Sequence, residues 1–247
     1  MIANVERVAQ SARRPSGPTG TVLVLQLPAD WEGARHARDL ADWVGRLGGP
    51  VARGSDCLAR TVAALLENAV RHCSGGPVRL ALCTDAPSGD FRVQTGNRAR
   101  AHDLQRLQDR VELLRARQAS EAYRGLLVES AEQGRDVGLG LARLACQERV
   151  RLATRVHAGY AQVVAGSRVA SFLPMTMVEG AANGDVALYL QHPAVSAVGP
   201  WEEYAKGLAD RVRCGPNDER SEGRLTVEGD GIDGLVRVRG LWTRGEA

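Results

Sequence analysis

The sequence predicts an α+β fold, because stretches with the two-residue alternation of strands are interspersed with stretches that have helical spacing. Val78–Thr84 and Phe91–Thr95 are strand-like and flank turn residues at 86–90, which is typical of a β-hairpin. The segment after Ser55 instead repeats apolar residues at helical spacing. Residues 178–247 contain 12 acidic and 8 basic residues, whereas the whole chain has a net charge of +3. We therefore predict one main domain followed by a small α+β extension.

The first third of the sequence predicts a polar N-terminal segment, one strand and two helices. Residues 1–19 are polar and contain a Ser-Gly-Pro-Thr-Gly stretch, which is typical of a flexible segment. Thr21–Leu27 is an apolar run with strand formers. Trp31–Leu47 has helical spacing and ends at two glycines and a proline. Ser55 can cap the next helix, whose apolar positions are Leu58, Val62, Leu65, Leu66, Ala69 and Val70.

The middle of the chain predicts a long helical insert, a glycine-containing loop and a short helix, followed by three strands. The helical pattern runs from His102 to Glu132, the loop covers 134–140, and the short helix runs from about Leu141 to Gln147. The three predicted antiparallel strands are Val150–His157, Tyr160–Ala165 and Val169–Leu173.

The change of charge near residue 178 predicts a domain boundary there. We divide the chain into a flexible segment at 1–19, a main domain at 20–177 and an extension at 178–247. The predicted elements of the extension are a strand at Val186–Leu190, a helix at Trp201–Val212, and strands at Arg224–Glu228 and Leu235–Leu241.

Composition argues against several classes of function. The chain has 31 arginines and one lysine, but its 29 acidic residues nearly cancel them, which disfavours the clustered basic face of a nucleic-acid-binding domain. No apolar run approaches the roughly 20 residues of a membrane-spanning helix, so we expect no membrane insertion. The five cysteines are scattered without CxxC spacing. They predict reduced thiols in a cytoplasmic protein rather than a zinc or redox site.

Two segments carry residues suited to binding a nucleotide with a metal ion. In Ala64-Leu65-Leu66-Glu67-Asn68-Ala69, a carboxylate and a carboxamide are adjacent on one helix, and both offer the oxygen ligands that Mg²⁺ prefers. In Val137-Gly138-Leu139-Gly140-Leu141, glycines precede a helix whose free N–H groups can bind phosphate. Arg135 could add a charge-assisted contact. The alternatives are a solvated Glu67–Arg71 pair, and a helix start packed on a strand.

The order of these segments resembles that of the GHKL (Bergerat-fold) ATP-binding proteins, which include histidine kinases and gyrase-type ATPases. Glu67-Asn68 looks like their N box, and Gly138-Leu139-Gly140 looks like their second glycine box. The resemblance implies a two-layer α/β sandwich of the histidine-kinase-like ATPase type. It departs from the family at 93–99, where no aspartate is present to bind adenine, so Thr95 or Asn97 takes that role or adenine binding is lost.

Within that family, the Leu-Leu-Glu-Asn-Ala segment and the helical insert are similar to SiaB-type and related cyanobacterial-type regulator protein kinases. The similarity implies a serine/threonine kinase that uses ATP and Mg²⁺ in bacterial partner-switching signalling. Glu67 is then the general base and a metal ligand, Asn68 holds Mg²⁺, and His72 faces the same cleft. The implied partners are a small phosphoacceptor or STAS-like regulatory protein and a PPM-type phosphatase, and the chain could itself form a homodimer. The alternative is a non-catalytic interaction module that has lost ATP binding.

Overall fold

A single antiparallel sheet of eight strands organises the part of the chain that the structure describes. The structure is a computed structural model, and it describes residues 21–28, 40–42, 55–85, 88–116, 119–134, 139–168, 171–173, 186–193, 207, 221–230 and 235–244. In chain order the strands are β1 (Val22–Leu27), β2 (Val78–Asp85), β3 (Asp90–Arg98), β4 (Arg151–His157), β5 (Tyr160–Gly166), β6 (Val186–Pro193), β7 (Ser221–Asp230) and β8 (Leu235–Arg244). Their spatial order is β4-β5-β3-β2-β1-β6-β8-β7.

Four helices have described bounds: α1 (Ser55–Arg71), α2 (Ala101–Ala116), α3 (Ala119–Gln133) and α4 (Leu139–Gln147). The α1 helix packs on β3 and on α4, while α2 packs on β4 and α3 packs on α4. Helices on an antiparallel sheet confirm the predicted α+β class. The finer assignment to the Bergerat type stays a prediction.

The main core lies between α1 and one face of the sheet. Every second residue of β1 is directed to this face, as the period of two along a strand requires, and α1 covers it with its apolar stripe. The core residues that these two elements contribute are Leu23, Leu25, Leu27, Leu58, Val62, Leu65, Leu66 and Ala69. The helical spacing read from the sequence therefore predicted the buried face of α1 correctly.

The predicted helical insert is described as two segments, α2 and α3, and residues 117–118 lie outside the described residues. Two other expectations from the sequence are wrong in detail. Helix α4 begins at Leu139 rather than at Leu141, so Gly140 lies inside the helix instead of in the preceding loop. The third predicted strand, Val169–Leu173, is absent over its described residues 171–173.

Gln94 binds the backbone of Leu173, which is not part of a strand. Its side-chain amide donates from Nε2 to the Leu173 carbonyl oxygen at 3.1 Å and accepts from the Leu173 N–H at 2.6 Å. The Gln94 side chain is buried, and it satisfies both backbone groups that a neighbouring strand would otherwise pair. Leu173 then packs with Val24, Ala81 and Tyr189 in a second, smaller apolar cluster.

The strands of the predicted extension continue the sheet of the main domain. β6 pairs antiparallel with β1, with Leu23 opposite Leu190 and Leu25 opposite Leu188. β8 follows β6, and β7 closes the edge. The predicted strands in this segment are all present with longer bounds. The domain boundary near 178 and most of the predicted helix Trp201–Val212 lie outside the described residues, and the domain division stays a prediction.

Tyr160 packs so closely on Gly96 that β3 has no room for a side chain there. A Cβ on Gly96 would lie 2.5 Å from Tyr160 Oη and 2.9 Å from its Cε1. Burial raises the pKa of the Tyr160 hydroxyl, and the Arg79 guanidinium lies 5.9 Å from the ring centroid. The ring of Tyr160, which begins β5, therefore packs on Gly96 of β3 and lies near Arg79 of β2. Gly96 directly precedes Asn97 in the chain.

Replacing Gly96 with alanine is expected to lower the free energy of unfolding by about 1–3 kcal/mol, because the new methyl group displaces the Tyr160 ring. Urea unfolding measures the change. In a Tyr160→Ala background the same substitution should cost clearly less, since the obstructing ring is gone. An equal cost in both backgrounds would show that the Tyr160 contact does not determine the need for glycine at this position.

Candidate functional site

A cavity of about 230 Å³ lies between α1 and α2, at the ends of β3 and β5. The α1 helix lines the cavity with Ala64, Glu67, Asn68 and Arg71. His72, the residue after the helix, also lines it. The α2 helix supplies Asp103, Arg106, Leu107 and Arg110. The remaining lining residues are Asn97, Ala99, Ala161, Gly140 and Leu141.

Helical spacing explains why the residues of the α1 wall share one face. Residues 64, 67, 68, 71 and 72 follow the i, i+3, i+4, i+7, i+8 pattern, which forms one stripe along a helix. The leucines between them, Leu65 and Leu66, are fully buried in the core. Burial of the leucines therefore fixes the rotation of α1 and directs Glu67 and Asn68 to the cavity, where both are partly exposed.

The same spacing places the α2 residues on the opposite wall. Asp103, Arg106, Leu107 and Arg110 are separated by three and four residues, so they too form one stripe. The helical pattern from His102 to Glu132 predicts a helix here but does not indicate that these polar side chains belong to a site. One sequence signal could have indicated them. Polar residues recur at 103, 106 and 110, which lie on one face of a helix, and this helix follows the N-box-like segment in the chain.

Asn97 forms part of the floor of the cavity. Its backbone pairs with Ala161 across β3 and β5, and its side chain is buried with an exposed fraction of 4%. The side-chain Nδ2 donates to the Arg98 carbonyl oxygen at 3.0 Å, so the amide presents Oδ1 as its acceptor. Thr95 lies two residues earlier on the same face of β3 but is buried behind Asn97, outside the cavity lining.

The glycine segment reaches the cavity through the start of α4. Gly140 and Leu141 line the cavity, and they belong to the first turn of α4. Leu139 is the first residue of that helix and is partly buried. Arg135 and Gly138, which the sequence also predicts as ligand-binding residues, lie outside the described residues.

A pair of histidines holds Asp103 at the edge of the cavity. His72 Nδ1 lies 3.2 Å from Asp103 Oδ1, and His102 Nε2 lies 3.3 Å from Asp103 Oδ2. The His72 contact joins the end of α1 to the start of α2. Asp103 is the least exposed of the three side chains, at 17%. His72 is therefore oriented by a carboxylate that lies 31 residues away along the chain, a pairing that local patterns do not predict.

Arginines outnumber carboxylates in the lining. Arg71, Arg106 and Arg110 line the cavity together with two carboxylates, those of Glu67 and Asp103. The lining itself thus carries one more basic than acidic side chain, and one of its arginines, Arg110, also pairs with Glu129 from outside the lining.

The cavity brings together five of the residues that the sequence predicts for one site. Glu67, Asn68, His72, Asn97 and Gly140 all line it, although they come from three separated segments of the chain. Their roles stay predictions. The charged residues of the lining that the sequence did not assign to the site are Arg71, Asp103, Arg106 and Arg110.

Comparison with known proteins identifies one structural similarity. No protein-family model matches the sequence, and no curated protein matches it. Among solved structures, the chain is similar to a chain of the SiaB–SiaC complex from Pseudomonas aeruginosa, with a TM-score of 0.46 and 13% sequence identity. The similar region covers 67% of this chain and 97% of that chain.

None of the helices in the described ranges combines the length and the apolar character that a membrane-spanning helix needs.

Proposed function

We propose that the chain is an ATP-binding regulatory protein that transfers phosphate to a serine or threonine of a small partner protein. The observation that supports this most directly is the convergence of Glu67, Asn68 and Asn97 on one arginine-lined cavity. The family resemblance of these residues to GHKL nucleotide sites predicts the same location. A cavity with several convergent polar groups is also the usual form of a small-molecule site.

The donor set of the cavity suits a nucleotide with Mg²⁺. Mg²⁺ in proteins is commonly held by one or two protein oxygens together with substrate phosphates and waters, and Glu67 and Asn68 offer such oxygens. When bound, the ion would neutralise charge on the phosphates. The first turn of α4 adds backbone N–H groups on the same side of the cavity, and Arg135 and Gly138 would extend that contact.

Asn97 is the residue that we assign to the base of the nucleotide. Because its Nδ2 is bound to the Arg98 carbonyl, its Oδ1 is the atom that can accept a hydrogen bond from an exocyclic amino group. This acceptor would replace the carboxylate that GHKL proteins usually carry here. Thr95 would act behind it, as support from the buried part of β3.

Glu67 is the residue that we assign to proton transfer. In the proposed step, the hydroxyl oxygen of the partner attacks the γ-phosphorus of ATP, the bond to the β,γ-bridging oxygen breaks, and ADP leaves. The hydroxyl proton passes to a Glu67 carboxylate oxygen, as general base catalysis requires. His72, oriented by Asp103, is placed to contact the phosphates from the edge of the cavity.

The partner class follows from the family resemblance alone. It implies a small phosphoacceptor or STAS-like regulatory protein, with a PPM-type phosphatase acting in the opposite direction.

Replacing Asn68 with alanine is expected to weaken ATP binding in the presence of Mg²⁺ by roughly tenfold or more, because one oxygen ligand and its hydrogen bonds are lost. Isothermal titration calorimetry measures the change. A matched control is Gln105→Ala, an exposed carboxamide on α2 outside the cavity lining, which should bind ATP as the unchanged chain does. Absence of ATP binding by the unchanged chain would refute the proposal.

The second candidate function is a non-catalytic interaction module. The absence of an aspartate from residues 93–99 favours it, because this removes the acceptor that GHKL proteins use for adenine. The same titration separates the two functions. The module would bind its partner protein without nucleotide, and addition of ATP and Mg²⁺ would change neither affinity nor thermal stability.

A further inference from the structure

We propose that Arg106 and Arg110 of α2 bind the polyphosphate group of the ligand, so that α2 forms an arginine-bearing wall of the cavity. The inference deepens the proposed function and rests on it for the identity of the complete ligand. Its basis is separate, however, since neither arginine belongs to the segments from which the nucleotide site was predicted.

The positions of the two arginines on α2 suit one extended anion. They are four residues apart on the stripe that lines the cavity, which separates their Cβ atoms by about 5–6 Å. Their guanidinium groups can therefore contact different phosphates of one chain. Arginine forms bidentate, charge-assisted hydrogen bonds with phosphate, and these are stronger than bonds between neutral groups.

Among the described residues, Arg110 forms only a long ion pair, with Glu129. Arg110 Nη1 lies 3.5 Å from Glu129 Oε2 on α3, whereas charge-assisted N–H···O bonds are usually about 2.7–2.9 Å. Glu129 also accepts a hydrogen bond from Gln133 Nε2 at 3.2 Å. Glu129 therefore occupies only one of the five N–H donors of Arg110, and it does so at a long distance, while the side chain is 20% exposed.

The carboxylates of the lining do not cancel this attraction. The two Asp103 oxygens lie 3.2 Å from His72 Nδ1 and 3.3 Å from His102 Nε2, so Asp103 contacts both imidazoles at the edge of the cavity. Glu67 lies on the opposite wall, on α1, and in the proposed function it faces the metal ion. The α2 wall below Asp103 is therefore cationic through Arg106 and Arg110, with Leu107 between them.

Tripolyphosphate and ATP distinguish this inference from the proposed function. At matched ionic strength, tripolyphosphate should raise the melting temperature of the unchanged chain, because a ligand that binds only the folded state stabilises it. The double variant Arg106→Gln, Arg110→Gln should bind tripolyphosphate and ATP roughly 10²-fold more weakly or worse, since each lost charge-assisted contact costs about tenfold. Its affinity for adenosine, which has no phosphate, should not change.

Control variants separate a phosphate contact from a general loss of charge or folding. Arg115→Gln removes an exposed arginine from the last turn of the same helix, outside the cavity lining, and should bind both ligands normally. Arg110→Lys keeps the charge but loses the planar fork, so it should recover only part of the affinity. Melting temperatures measured without ligand identify any variant that fails to fold. If the double variant does not fold, the affinity of Arg110→Lys for the two ligands serves as the test instead.

Three results would overturn the inference. No stabilisation of the unchanged chain by tripolyphosphate would do so, as would equal stabilisation by citrate, which is anionic but lacks phosphate. Normal ATP binding by the double variant would also overturn it, while leaving the proposed function intact. Conversely, tripolyphosphate binding that depends on both arginines, without any adenosine binding, would support the inference and count against ATP as the ligand.

Discussion

Replacing Glu67 with glutamine is expected to slow phosphate transfer from ATP to the partner protein by roughly 10²–10⁴-fold, the usual contribution of a positioned general base. ATP affinity should change little, because the amide keeps an oxygen that can face Mg²⁺. Transfer of labelled γ-phosphate from ATP to the proposed partner protein measures the rate, and calorimetry measures the affinity.

Glu132→Gln is the matched control for this substitution. Glu132 is an exposed carboxylate on α3 and does not line the cavity, so its loss should leave the transfer rate unchanged. If Glu67→Gln transferred phosphate at the normal rate, Glu67 would not be the base. A parallel loss of rate and ATP affinity would assign Glu67 to metal binding alone.

Replacing Gln94 with methionine is expected to lower the free energy of unfolding by about 2–5 kcal/mol. The substitution keeps a similar volume but removes both hydrogen bonds to Leu173, and each buried backbone group left without a partner costs about 1–3 kcal/mol. The smaller apolar cluster should loosen with it, since Leu173 belongs to that cluster. Urea denaturation with constant m-value measures the loss.

Gln162→Met on β5 tests whether methionine itself is harmful at such a position. Gln162 is partly exposed, so its replacement should cost less than about 0.5 kcal/mol, as most surface substitutions do. Equal destabilisation by the two substitutions would mean that the Leu173 contacts are not the cause. Hydrogen exchange at the Leu173 amide should accelerate only in the Gln94 variant.

Local patterns were sufficient to predict most of the described elements and the face of α1 that lines the cavity. The apolar residues of α1 repeat at 3.6-residue spacing, and their burial determines where Glu67 and Asn68 lie. Strands β2 and β3 are joined by turn residues and pair in the predicted hairpin. In each case the signal lies within a few residues of the feature that it predicts.

Features that depend on distant residues could not be predicted in this way. Gln94 pairs with Leu173 across 79 residues, and an isolated glutamine in a strand gives no sign of such a bond. The α2 arginines became part of the site only because α2 packs opposite α1. Likewise, the pairing of β6 with β1 is a long-range contact that neither strand specifies alone.

The pairing of β1 on both sides has a consequence for any shortened version of the chain. β1 is a six-residue run, Val-Leu-Val-Leu-Gln-Leu, whose every residue is buried. Without residues 178–247 it would lose β6 and present an apolar edge of unpaired N–H and C=O groups, a template for intermolecular pairing and aggregation. Strand β6, followed by β8 and β7, thus keeps β1 from being an exposed edge.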